Sequence, residues 1–171
     1  LPTLKKGTFL GGTLTIASGA TMTVSGGIFS LNANTWVMTG ATLQNTATVQ
    51  LRGSETITGL TQDTDSGTFK YVGDGDASAD TYTIIDFGST DYFNLTIASV
   101  DAGDTYQLSS GKTVAGNMTV SSGVFDPVTY TMTFNGAGTQ SLNSGGQSFY
   151  GLTHSGSGTL QLTAALSVTN A

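Results

Sequence analysis

The chain has 171 residues, enough for one domain with a core, and only 9% of them are charged, against roughly 25% in an average soluble domain. Its net charge of −6 excludes the basic face that phosphate binding needs, and the absence of cysteine excludes a disulfide scaffold, thiolate metal sites and thiol catalysis. No apolar run is long enough to span a bilayer, and 37% hydrophobic residues with so little net charge is not the composition of a disordered chain.

In place of charge stand 31 Thr and 24 Gly, residues that favour pleated strands and turns respectively. From the N terminus, residues 1–12 read as an arm or donor strand that could add to a neighbour's sheet. Beyond it, apolar residues alternate with Thr, Ser or Gln in short runs: Leu14/Ile16, Met22/Val24, Val49/Leu51, Tyr82/Ile84, Leu95/Ile97, Met118/Val120, Met132/Phe134 and Leu160/Leu162. Period two puts each pair on one face of a strand. No stretch has helical spacing, so residues 1–171 read as a single all-β domain of many short strands.

These strands recur as repeats. Met22-Thr-Val-Ser-Gly-Gly-Ile-Phe29, then Trp36-Val-Met38, returns as Met118-Thr-Val-Ser-Ser-Gly-Val-Phe125, then Tyr130-Thr-Met132. An apolar-x-apolar-x-Gly element occurs at Val49–Gly53, Phe69–Gly73 and Met132–Gly136. A Gly/Asn-Leu-Thr element occurs at Gly59, Asn94 and Gly151, and Thr105–Val114 matches Thr159–Val168. Two architectures bury such strands. A β-sandwich would use antiparallel hairpins, for which Asn135-Gly136 and Asp74-Gly75 are candidate turns. A parallel β-solenoid would stack like residues into ladders, with insertions confined to the corners, and it fits the drifting spacing better.

The run Phe93-Asn-Leu-Thr-Ile97, Tyr106-Gln-Leu-Ser-Ser110, Thr113–Phe125 and Thr131-Met-Thr-Phe-Asn-Gly136 resembles a repeat common in large secreted and surface proteins of bacteria. The resemblance covers most of residues 92–171 and, more loosely, 20–61. It implies a right-handed parallel β-helix of adhesin type, an extracellular or cell-surface location and a structural or adhesive role, and it carries over no catalytic residue.

Ten of the eleven acidic residues fall between Glu55 and Asp104, where Lys70 is the sole base. Asp63, Asp65, Asp74 and Asp76 could supply oxygen ligands to calcium, although no complete calcium loop is present. No other cofactor is expected. Asp86, Asp91, Asp101 and Asp104 are the carboxylates a glycosidase would draw on, and Arg52 and Lys70 the bases of a lyase, but none stands in a motif, and no enzyme is expected. His154, the only histidine, matches Ile97 between repeats and so reads as a ladder or turn position. Trp36, Tyr130 and the remaining aromatics read as core rather than as a sugar platform. Asn94 and Asn117 head glycosylation sequons that matter only in a suitable host.

The final residues, Leu166–Ala171, match Lys112–Asn117, where the earlier copy continues into a further strand. The chain is therefore expected to be a piece of a longer solenoid or a subunit whose last coil is completed by another copy, head to tail. Leu4, Lys5, Lys6, Phe9, Leu166 and Val168 are the expected assembly residues, with the two lysines meeting acidic groups of the neighbour. The expected function is that of an extracellular structural subunit of a filament, sheath or stalk. The alternative is a module of a cell-surface adhesin that binds glycan.

Overall fold

The computed structural model describes residues 3–4, 6–88 and 91–170. Every strand pairing among them is parallel, and none of these residues is helical. The chain winds as a three-faced β-solenoid of about eight turns. Its long face is one eight-stranded sheet: Gly7–Thr8, Ile28–Ser30, Thr48–Leu51, Thr68–Tyr71, Asn94–Ala98, Met118–Ser122, Gln140–Asn143 and Leu160–Leu162. After each of these eight strands the chain turns onto a second face. There lie Thr13–Thr15, Thr35–Val37 and Thr56–Thr58, then Thr81–Ile84, Thr105–Leu108 and Val124–Asp126, and Ser148–Phe149 pairing with Ser167–Val168. The third face carries Thr3–Leu4, Thr21–Val24 and Thr42–Asn45, and later Lys112–Val114, Thr131–Phe134 and Gly151–His154.

Both candidate hairpin turns of the sandwich alternative are corners between parallel strands. Asp74-Gly75 lies between Tyr71 and Thr81, and Asn135-Gly136 between Phe134 and Gln140. The segment expected as a free arm contributes Thr3–Leu4 and Gly7–Thr8, which pair with Thr23–Val24 and Phe29–Ser30 of the same chain as its first coil.

Register turns alternation into columns. On the long face Phe29, Val49, Phe69, Leu95, Met118, Leu142 and Leu162 stand one above another, beside Leu51, Tyr71, Ile97 and Val120. The second face adds Leu14, Trp36 and Ile57, then Tyr82, Tyr106 and Phe125; the third adds Met22 with Leu43, and Val114 with Phe134. Most of these residues are fully buried, and aromatic rings meet across the interior, as in Phe29 with Trp36 and Phe125 with Phe149 at 5.8 and 4.9 Å between centroids. Trp36, Tyr71, Tyr92, Tyr106 and Phe149 are thus core residues.

The repeats are real but do not mark the coil. Met22–Val24 lies on the third face and its copy Met118–Val120 on the long face; Ile28-Phe29 lies on the long face and its copy Val124-Phe125 on the second. The copy is displaced by one face. Thr105–Leu108 and Leu160–Leu162 are likewise on different faces. Each face sets the same problem, an inward apolar pair flanked by outward Thr and a tight corner, so one strand motif serves all three. A coil measures 20 residues from Val49 to Phe69 and 26 from Phe69 to Leu95, the surplus lying in the corners.

Phe69, 2% exposed, fills the middle of the longest column. Phe69→Ala is expected to cost about 3–5 kcal/mol in chemical denaturation, while outward-facing Gln50→Ala stays within about 0.5 kcal/mol of the parent.

Candidate functional site

The 26-residue coil carries its insertion at the corner between the long and second faces, and acidic residues of two successive coils meet there. Residues 72–80 leave the long face after Tyr71, and residues 99–104 leave it one coil later, after Ala98. The backbone staples the two corners together through Val100 N–H to the Val72 carbonyl at 2.8 Å. Gly73 makes the approach possible: its φ is +73°, and a Cβ there would collide with the Asp104 carboxylate. Asp104 is fully buried and accepts from Ser99 Oγ at 2.6 Å and from Asp80 N–H at 3.1 Å, while Tyr106 donates to Ser99 Oγ at 3.1 Å.

Outside this buried anchor, carboxylate oxygens of Asp74, Asp76 and Asp101 lie within 4.8 Å of one another. Asp76 Oδ1 accepts from the backbone N–H and hydroxyl of Ser78 at 2.7 and 2.6 Å, and these bonds hold its carboxyl below the usual carboxylate range. Asp101 Oδ1 accepts from Ala77 N–H at 3.2 Å, but its Oδ2 is buried with no hydrogen-bond partner. The Tyr82 hydroxyl is a second buried orphan. Burial raises its pKa most, followed by the negative charges of Asp74, Asp104 and Asp80.

Asp63 and Asp65 are not brought to this corner. Asp63 Oδ2 accepts from Asn45 N–H at 2.6 Å, fastening its loop to the preceding coil on the third face, and its Oδ1 accepts from Asp65 N–H at 3.4 Å. Partial burial raises the Asp63 pKa. Of the four acidic residues read from sequence as calcium ligands, Asp74 and Asp76 therefore share this corner, and their third partner is Asp101.

The other carboxylates are engaged elsewhere. Asp91, 1% exposed, accepts from Phe87 N–H and Thr113 N–H at 3.0 and 2.9 Å, and burial pushes its pKa up. Lys112 occupies an inward slot in the column of Met132 and Leu152, and its ammonium, entirely buried, pairs with Asp86 Oδ2 at 3.1 Å. Ser110 Oγ bridges the two, donating to Asp86 and accepting from Lys112. Sequence reasoning passed over this trio because Lys112 looks like an ordinary strand-end lysine; its signal was an apolar-phase position in Lys112-Thr-Val114. His154 extends the column of Val114 and Phe134 rather than that of Ile97, and it is exposed.

Comparison with protein-family models, with curated proteins and with solved structures finds no match to this chain.

Hydrogen bonds from Ser110 and Gly88 N–H, together with Lys112, hold the Asp86 carboxyl at a pKa of about 2, below the ordinary 3.8. Its stabilising contribution is therefore complete above pH about 4 and lost as pH falls through 2. Asp86→Asn is expected to destabilise the protein by about 1–2 kcal/mol at pH 7, since it leaves a buried ammonium without its counter-charge. Urea titrations of the two proteins should converge as the pH approaches 2.

Proposed function

We propose that this chain is an extracellular structural module that lengthens by stacking coil on coil, further coils of the same kind continuing the solenoid beyond the last described one. The observation that carries this reading is the state of the inward columns in that coil. Leu142 is 1% exposed and Phe149 fully buried, yet Leu162, which extends the Leu142 column, is 49% exposed. Val168 above Phe149, and Leu160 and Leu166 beside it, are only half buried. Unpaired strand edges lie along the same surface. A further coil of the same geometry would cover these side chains, at roughly 25 cal/mol per Å² of apolar surface removed from water, and satisfy the backbone at once. At the opposite end Phe9 is half buried and Leu10 is 83% exposed. Between copies of the chain such a contact is heterologous and so propagates.

Lys5 lies outside the described residues and the Leu4 side chain is not described; Lys6 is exposed. The segment from Gly151 to Asn170 contains no Asp or Glu, so a stacked neighbour offers the lysines no carboxylate from its last coil. The stacking contact is apolar and backbone-driven.

Three further features support a mechanical role outside the cell. Outward positions are mainly Thr, Ser, Asn and Gln, which keep a nearly uncharged surface wet. Most of the carboxylates an enzyme would use are bound to their own backbone or to Lys112. The likeness to bacterial surface repeats points the same way. The adhesin alternative has one observation in its favour. A groove on the second face is lined by Thr105, Gln107, Val124, Asp126, Gln147 and Tyr150, with Gln107 Nε2 held by Asp126 Oδ2 at 2.8 Å. That arrangement offers fixed polar groups beside a ring, as a sugar would need.

Light scattering and negative-stain microscopy of the purified chain distinguish these readings. Concentration-dependent rods, abolished by Leu162→Asp/Val168→Lys without loss of the β-sheet circular dichroism signal, are expected. A monomer at every concentration that binds glycans on an array would favour the adhesin.

A further inference from the structure

We propose that the corner formed by Asp74, Asp76 and Asp101 is a divalent-cation site selective for calcium, which locks two successive coils together. This inference is independent of end-to-end stacking, because the site lies within one chain and far along the solenoid from either terminal coil.

Three observations converge on it. The first is charge. Asp74, Asp76 and Asp80 of one corner and Asp101 and Asp104 of the next gather five carboxylates, and the ion pair found among the described residues, Lys112 with Asp86, lies elsewhere. Like charges brought this close are repulsive unless a positive charge sits among them. Aligned corners force the meeting, since Val100 is bonded to Val72 and Asp80 to Asp104.

The second is an orphaned ligand atom. Asp101 Oδ1 spends its bonding on Ala77 N–H, whereas Oδ2 is shielded from solvent and receives no donor. A carboxylate oxygen so placed carries a desolvation penalty that a hydrogen bond or a cation must offset. The two side chains grouped with it, Asp74 and Asp76, are carboxylates, which cannot donate when ionised.

The third is Tyr82. It is 8% exposed, its hydroxyl has no hydrogen-bond partner, and its ring packs 5.5 Å from that of Tyr106, whose own hydroxyl is bonded into the Ser99–Asp104 anchor of this corner. An unsatisfied phenol is therefore buried beside the same corner. A hydrated cation between Asp74, Asp76 and Asp101 would satisfy both orphans together, ligating Asp101 and supplying water to the phenol.

The donor set chooses the ion. Three carboxylates with no His or Cys exclude the soft and borderline metals that need nitrogen or sulfur. Calcium accepts irregular, oxygen-only sites in which water completes the shell, whereas magnesium demands a tight octahedron that a two-loop corner does not preform. With three protein carboxylates the affinity should fall in the range of extracellular modules, a Kd of about 10⁻⁴–10⁻³ M.

The test is calcium titration of EGTA-stripped, dialysed protein, followed by isothermal calorimetry, by Tm, and by tyrosine-sensitised terbium luminescence, which reads the proximity of a tyrosine to the bound ion. One saturable site is expected, with a calcium-dependent rise in Tm and sensitised emission that Tyr82→Phe reduces at least several-fold. Asp101→Asn and Asp76→Asn should each weaken binding at least tenfold, and Asp63→Asn/Asp65→Asn should bind as the parent does. Asp76 is exposed and bonded only to Ser78, so its variant carries the test even if Asp101→Asn unfolds. An unchanged Tm and no heat at 10 mM calcium (roughly ten times the upper Kd) would overturn the proposal. So would binding that survives Asp76→Asn, or that disappears in the Asp63/Asp65 variant.

Discussion

Parallel backbone hydrogen bonding between successive coils is the constraint on which the molecule rests. Each strand offers its N–H and C=O groups to the coils above and below, and the pairing is in register over most of the long face. Register fixes which side chains share a column, and period two fixes which of them face inward. Once those are set, the interior has no freedom left: it must be filled by one apolar side chain per column per coil. Departures must therefore either be compensated in place, as with Lys112, or be expelled to the corners.

Lys112 shows the first solution. Its stem continues the apolar column of Met132 and Leu152, while its ammonium reaches Asp86 and Ser110 at the edge. The acidic corner shows the second. Extra residues between Tyr71 and Thr81 cannot enter a strand without shifting the register, so they loop out where the long and second faces meet. The next coil carries its own loop at the same place, and stacking lays one on the other. Groups 27 residues apart in sequence, Asp74 and Asp101, become neighbours as a direct result of coil alignment.

How much of this could be read from the sequence follows from the same geometry. Alternation at Met22/Val24 or Leu95/Ile97 is a local property, so strands and their dry faces were legible, and the Thr-rich repeats pointed to the parallel stack. The coil itself was not legible from the repeats. Met22-Thr-Val and Met118-Thr-Val look equivalent because three faces impose the same demand, yet they lie on different faces. For the acidic residues, the sequence offered two candidate turns, Asp63 with Asp65 and Asp74 with Asp76. The two lie apart, Asp63 being fastened to Asn45 on the third face. Asp101 could be recognised as the partner of Asp74 and Asp76 only with the coil length in hand, and that length changes by six residues at this very turn, between Val49–Phe69 and Phe69–Leu95.

The central assertion is that like segments lie side by side, running in one direction, with Val49, Phe69 and Leu95 as direct neighbours. At 17.4 kDa the chain is suited to backbone nuclear magnetic resonance in solution. Cross-strand Overhauser contacts should link the backbone protons of Thr48–Leu51 to those of Thr68–Tyr71 in ascending order, and these in turn to Asn94–Ile97. Strong contacts between facing Hα protons in descending order, the mark of antiparallel neighbours, would contradict the parallel stack and dissolve both the columns and the shared acidic corner.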